Sequence, residues 1–146
     1  MYTKHMQARY VLICAVLVAA VAVSQDTTKS VWDGVYNADQ AKRGEAAYNG
    51  NCAACHGDQL NGGEMAPPLA GGEFMSNWNG LTLGDLFDRI RTTMPAGRPG
   101  KLSRETNADI LAFILAFNKF PAGDQEMPHA SEALKQIKLE AEKPKK

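Results

Sequence analysis

Cys52-Ala53-Ala54-Cys55-His56 places two thiols two residues apart, with an imidazole directly after the second. Sulfurs at that separation can each add to a vinyl group of one porphyrin, and the adjoining imidazole is then held against the iron. The run therefore reads as a covalent haem attachment site. Other chemistries use parts of the same run. A redox dithiol of the thioredoxin kind sits in a βαβ setting, and no alternating or β-branched apolar run flanks these cysteines. Zinc takes four ligands, and there is no second cysteine pair to complete them. A plain disulfide between the two cysteines is the remaining alternative.

With His56 as one axial ligand, a second ligand is sought downstream. Met94 is the leading candidate: it follows an apolar helical stripe, precedes Pro95, and heads the loop TMPAGRPG, which can present a thioether free of helical constraint. Methionine elsewhere usually fills core. Met65 and Met75 come next, and His129, near the C-terminus, is the weakest candidate.

The elements that must hold these residues read as helices and loops, with no stretch patterned as a strand. Asn37 or Asp39 can cap a first helix whose Ala41, Gly44 and Tyr48 share one face and which leads into Cys52. Glycine weakens a helix interior, so Gly44 points to close approach of another backbone. The glycine-rich stretch 57–80 reads as an irregular loop. Its Leu60, Met65, Leu69, Phe74, Met75 and Trp78 are too apolar for a solvated linker and suit a loop laid over a porphyrin. A second helix starts at Thr82, supported by Asp85, carries Leu83, Leu86, Phe87 and Ile90 in one stripe, and stops before Pro95. A third runs from a Ser103 cap to Asn118–Pro121. Its apolar centre, Ile110 to Phe117, is too short to span a membrane and predicts burial on two faces. Beyond Gly123 the chain is polar, apart from Leu134, Ile137 and Ala141, which can share a helical face. A docking helix is one reading of that piece; a tail packed weakly on the body is the favoured one.

Cys14 stands apart, inside a 14-residue apolar run from Tyr10 to Val23 that follows Lys4, His5 and Arg9 and ends in Ala22-Val23-Ser24. That is the pattern of a cleaved signal peptide, with the mature chain starting near Gln25. The run is short of the ~20 residues of a membrane anchor. A lipoprotein reading of Cys14 is weaker, because most of the apolar stretch follows it. The expected organisation is a signal peptide over 1–24, one domain over 25–128, and a polar tail over 129–146. Of 16 basic and 16 acidic side chains, Lys4 and Arg9 alone lie in the leader, so the mature balance is −2. Such a balance argues against nucleic acid as a partner.

CAACHG, then APPLAG, then TMP, then the terminal helix ADILAFILAFN, together resemble the small class I c-type cytochromes along Asn37 to Asn118. VWDGVYNADQAKRGEAAYNGNCAACHG and the ending NKFPAG look most like bacterial cytochromes that serve quinoprotein dehydrogenases. The resemblance implies an all-α small cytochrome c fold, three main helices and irregular loops around one covalent haem c. It also implies Cys52 and Cys55 as the thioether cysteines, His56 as proximal ligand and Met94 as distal ligand. Pro67 would accept the other ring N–H of the histidine through its carbonyl, although the neighbouring Pro68 leaves the choice of proline open. Trp78 would either donate to a haem propionate or lie as an apolar lid, and Gly44 and Tyr48 would cross the last helix near Ala112. The implied function is an exported, periplasmic or secreted one-electron carrier, with a quinoprotein dehydrogenase as possible donor and a terminal oxidase as possible acceptor. No stable membrane insertion is expected after signal cleavage. Two rival readings remain: a haem enzyme or gas-binding protein with an open distal position, and a cytochrome subunit held tightly by a larger dehydrogenase.

Overall fold

The computed structural model describes residues 28–145; Cys14 and the apolar run read above as a signal peptide lie outside the described residues. The fold is all-α apart from one pair of two-residue strands. In chain order the elements are β1 (Lys29–Ser30), a 3₁₀ turn (Val31–Asp33), α1 (Ala38–Asn51), α2 (Ala53–His56), α3 (Gly71–Trp78), α4 (Leu83–Thr93), α5 (Arg104–Phe117), α6 (Ser131–Leu134) and β2 (Ile137–Lys138).

Local chemistry starts the three long helices where the sequence places them. Asn37, not Asp39, caps α1 by accepting the Gln40 N–H at 2.8 Å. Thr82 and Asp85 form a reciprocal capping box on α4, and Ser103 caps α5 through the Thr106 N–H. The centre of the molecule is the crossing of α1 and α5. A Cβ at Gly44 would overlap the carbonyl of Asp109 and reach Phe113 Cβ at 3.0 Å, so only glycine allows the helices to approach this closely. One turn on, the Tyr48 ring packs against Phe113 with centroids 5.2 Å apart. The crossing thus lies between Asp109 and Phe113, bracketing the Ala112 that the resemblance implies. Arg43 straps it from outside, forking onto Asp109 at 3.0 Å and reaching Glu126 at 2.9 Å; these acids raise its pKa further.

Three expectations need correction. The stretch 57–80 is not loop throughout, because Gly71–Trp78 is helical: Phe74 is buried, and Met75 and Trp78 pack against the core. Glycines at its start mask this apolar spacing. The chain is not strand-free either, since β1 and β2 pair in parallel with Lys29 opposite Ile137 and Ser30 opposite Lys138. Most consequential, residues 131–139 are not a weakly packed tail. Leu134, Ile137 and Leu139 are fully or almost fully buried, and Ala141 is exposed. The helix stops at Leu134 and the apolar period changes to two, so the inward residue after Ile137 is Leu139.

This segment seats on α4. At Gly84 a Cβ would come within 2.5 Å of Lys135 Cγ and 2.8 Å of its backbone N. Ser131 Oγ donates to Asp88 at 2.6 Å, Leu139 N–H to Leu81 O at 2.9 Å, and Trp32 Nε1–H to Glu140 O at 2.9 Å.

Gly44→Ala is expected to destabilise the holo protein by about 3 kcal/mol, at the upper end for overpacking, because the obstacle is backbone that cannot rotate away; thermal melts compare the two. Acid should loosen the tail. Asp88 is held below its ordinary pKa chiefly by the Ser131 hydroxyl, and Asp85 by the Thr82 cap. Carboxylates depressed in the folded state stabilise it fully above their unfolded pKa, roughly 3.9, and lose that contribution as pH falls through the lower folded values. Melting temperature should therefore drop below about pH 4, and Asp88→Asn should show a shallower drop.

Candidate haem site

Cys52 is the hinge between α1 and α2. Its N–H closes α1 on Tyr48 O at 2.7 Å, and its carbonyl accepts from the N–H groups of Cys55 and His56 at 3.1 and 3.0 Å. One helical turn therefore carries both thiols and the imidazole. Cys52 is half-buried, Cys55 exposed and His56 buried, with both thiols free. Burial, and then the neighbouring Cys55 sulfur, push the Cys52 thiol up to about 11. A redox dithiol needs the opposite shift, a thiolate stabilised near neutral pH. Among the described residues no group of three or more His, Cys, Asp or Glu side chains is placed to hold a metal ion, so the zinc alternative has no ligand set there.

His56 Nδ1 lies 2.8 Å from the carbonyl oxygen of Pro67 and donates its proton there, because the carbonyl only accepts. A neutral imidazole so held carries its lone pair on Nε2, which has no protein partner among the described residues. That is the donor an iron requires. The carbonyl is that of Pro67, not Pro68. It arrives behind the ring through a tight fold: Gly62 N–H bonds His56 O at 2.9 Å, and Leu69 N–H bonds Leu60 O at 2.8 Å. Gly62 has φ +70°, and a Cβ there would come within 2.6 Å of Pro68 N.

Met94 terminates α4 with its N–H on Ile90 O at 2.9 Å, takes an extended backbone, and is half-buried. Its rivals are placed differently. Met65 is 90% exposed at the tip of the Gly63–Ala66 turn, and His129 is exposed beside Glu105, 3.5 Å away. Met75 packs in α3 against the core. Trp78, half-buried at the end of α3, has no hydrogen-bond partner for its ring N–H among the described residues, whereas that of Trp32 is taken by Glu140. Leu69, Met75, Trp78, Ile90, Leu102 and Phe117 pack on the core with part of their surface still open, as an apolar cofactor's bed would. Free thiols, a pre-oriented imidazole and this apolar surface together fit a haem.

Two supporting residues have no local sequence signal. Tyr48 donates its hydroxyl to Gly57 O at 2.8 Å, fastening the chain just after His56; its own pKa is pushed up to about 12, mainly by burial. Asn118, at the end of α5, accepts from Gly71 N–H at 3.0 Å and donates to Leu69 O at 2.9 Å, tying the loop to the helix.

Residues 39–114, just over half of the chain, match the family described as cytochrome c oxidase, cbb3-type, subunit III. The protein belongs to this family of c-type cytochromes, and is a small, all-α cytochrome of the class I kind. It is 32% identical over 104 residues to cytochrome c-554(547) of Halothiobacillus neapolitanus, covering 69% of this chain and all of that protein. Among solved structures it is similar to the sulfane dehydrogenase SoxCD of Paracoccus pantotrophus, with a TM-score of 0.52 and 28% identity over 74% of this chain. The match spans 61% of that longer chain.

Replacing Cys52 and Cys55 together by alanine should abolish covalent haem attachment. Intact-protein mass should then fall by the haem as well as by the two sulfurs, and the double variant should fail to fold stably.

Proposed function

We propose that the protein is an exported, mono-haem electron carrier in which Cys52 and Cys55 hold one haem c and His56 and Met94 occupy its two axial positions. The His56–Pro67 hydrogen bond carries this reading, because it fixes the ring and leaves Nε2 as a donor of defined direction. When bound, the haem supplies a one-electron ferric/ferrous couple. The chain's part is to set the ligands and keep the site dry. Pro67 orients the proximal imidazole. With Met94 also holding the iron, neither oxygen nor a substrate would find an open coordination position. A thioether in that place favours the ferrous form and raises the potential, which suits a carrier delivering electrons toward a terminal oxidase.

Ligand identity governs the potential more than surface charge does. Axial ligands move haem potentials over about 0.8 V, against ~59 mV for a tenfold change in a one-electron equilibrium. Trp78, with its ring N–H unpartnered among the described residues, is placed by this reading on a propionate. A quinoprotein dehydrogenase remains the proposed donor, and the periplasm or the exterior the proposed location after cleavage of residues 1–24.

A second reading, a cytochrome held within a larger dehydrogenase, draws support from the likeness to SoxCD, itself a dehydrogenase. The C-terminal segment is a poor dock for such a partner, since Leu134, Ile137 and Leu139 are already buried in this chain. Co-purification of a dehydrogenase with the untruncated protein would favour that reading.

Met94→Ala tests the ligand assignment. Haem should stay attached, the sulfur-to-iron charge-transfer band of the ferric protein should vanish, the potential should fall, and the reduced protein should bind carbon monoxide at neutral pH. Carbon monoxide binding by the unaltered protein would instead favour the reading with an open distal position.

A further inference from the structure

Among the described residues, two buried side-chain atoms lack a hydrogen-bond partner: Arg91 Nε and Asn107 Oδ1. The second belongs to a neutral amide already anchored through its NH₂ to Leu102 O and Ser103 O. The first belongs to a permanent cation, for which a buried, unanswered N–H is far more costly. The two orphans do not satisfy each other, since neither has any partner.

Arg91 lies on α4 three residues before Met94, hence on the same face of the helix. Its side-chain partner is Asp88, whose Oδ1 accepts from Nη2 at 3.3 Å near the surface. Nε itself is sealed from solvent and calls for an acceptor, preferably an anion. No acidic residue of the surrounding sequence supplies one. From 89 to 104 the chain carries Arg89, Arg91, Arg98, Lys101 and Arg104 and not a single acid.

We propose that Arg91 binds a propionate carboxylate of the haem through Nε, with Asp88 steadying the guanidinium through Nη2. This rests on the haem-carrier reading and adds to it a residue that sets the potential. A guanidinium on the propionate offsets negative charge close to the iron and so favours the ferrous form. Arg91 thereby acts with Met94, one turn along the same helix.

The test uses the holo protein, with haem per chain first measured by pyridine haemochrome. A wild-type chain without covalent haem would overturn the carrier reading itself, before any variant is compared. With haem present in all proteins, Arg91→Gln should lower the one-electron equilibrium constant against a fixed mediator about tenfold, a fall of ~59 mV. It should also shift the propionate bending band in the resonance Raman spectrum. Arg89→Gln, which removes one exposed charge from the same helix, should leave that band in place and move the potential much less. Arg91→Lys keeps the charge but loses the guanidinium fork, so the band should shift while most of the potential is retained. An Arg91→Gln protein that melts earlier yet keeps the wild-type potential and band would overturn the proposal. That outcome would leave Arg91 as a structural partner of Asp88. If Arg91→Gln fails to fold, Arg91→Lys decides alone: a shifted band supports the contact, and an unshifted band overturns it.

Discussion

The approach of α1 to α5 at Gly44 is the constraint from which the site follows. With no side chain there, the backbone of α1 rests on the Asp109 carbonyl, and one turn later Tyr48 is clamped on Phe113. The end of α1 is therefore fixed relative to α5, and Cys52 is the residue that closes α1. Tyr48 extends the control by one step, since its hydroxyl holds the Gly57 carbonyl immediately beyond His56. Both ends of the thiol-bearing turn are thus referred to the same helix crossing. A cofactor attached through both thiols and held by the imidazole would need this registration, because all of its bonds would have to be met by atoms on five consecutive residues.

Behind the imidazole the chain has little regular structure, and its order comes from backbone groups satisfied across the loop. The bonds from Gly62 to His56 and from Leu69 to Leu60 fold 57–69 back on itself, and Asn118 fastens the far end to α5. The Pro67 carbonyl is delivered to His56 as a product of that network. A single hydrogen bond of 2.8 Å would orient an imidazole poorly if its acceptor were mobile. Here the acceptor is anchored on both sides in sequence.

The features legible in the sequence were those carried by neighbouring residues. Asn37, Thr82 with Asp85, and Ser103 announce helix starts because a cap involves residues two or three apart. Gly44 was readable as a contact because a glycine inside an otherwise regular helix invites a steric explanation. That Cys52, Cys55 and His56 share one helical turn was readable from their spacing alone, and that Met94 stands at the end of a helix from the Pro95 that follows it. The misreadings share a different cause. In α3 the apolar positions Phe74, Met75 and Trp78 follow two glycines, and the local glycine content outweighed a short helical pattern. In the tail the pattern changes from helical to strand-like within four residues, so neither period is sustained long enough to register. Long-range bonds leave no trace in the sequence at all: Gln40, buried and paired through both amide atoms with the backbone of Met127, looks like any surface glutamine.

The docked tail bears on how Met94 is placed. β1 and β2 bring the two ends of the described chain together, and α6 with Lys135 just after it covers the first turns of α4 at Gly84 and Asp88. The opposite end of α4 presents Met94. A helix met at its start by Ser131 and Lys135, with Leu86 and Phe87 buried along its length, delivers its capping residue to a defined place. Residues 131–139 thus take part in positioning a side chain some forty residues earlier in the sequence. For a domain this small they also supply core that the three long helices alone do not provide.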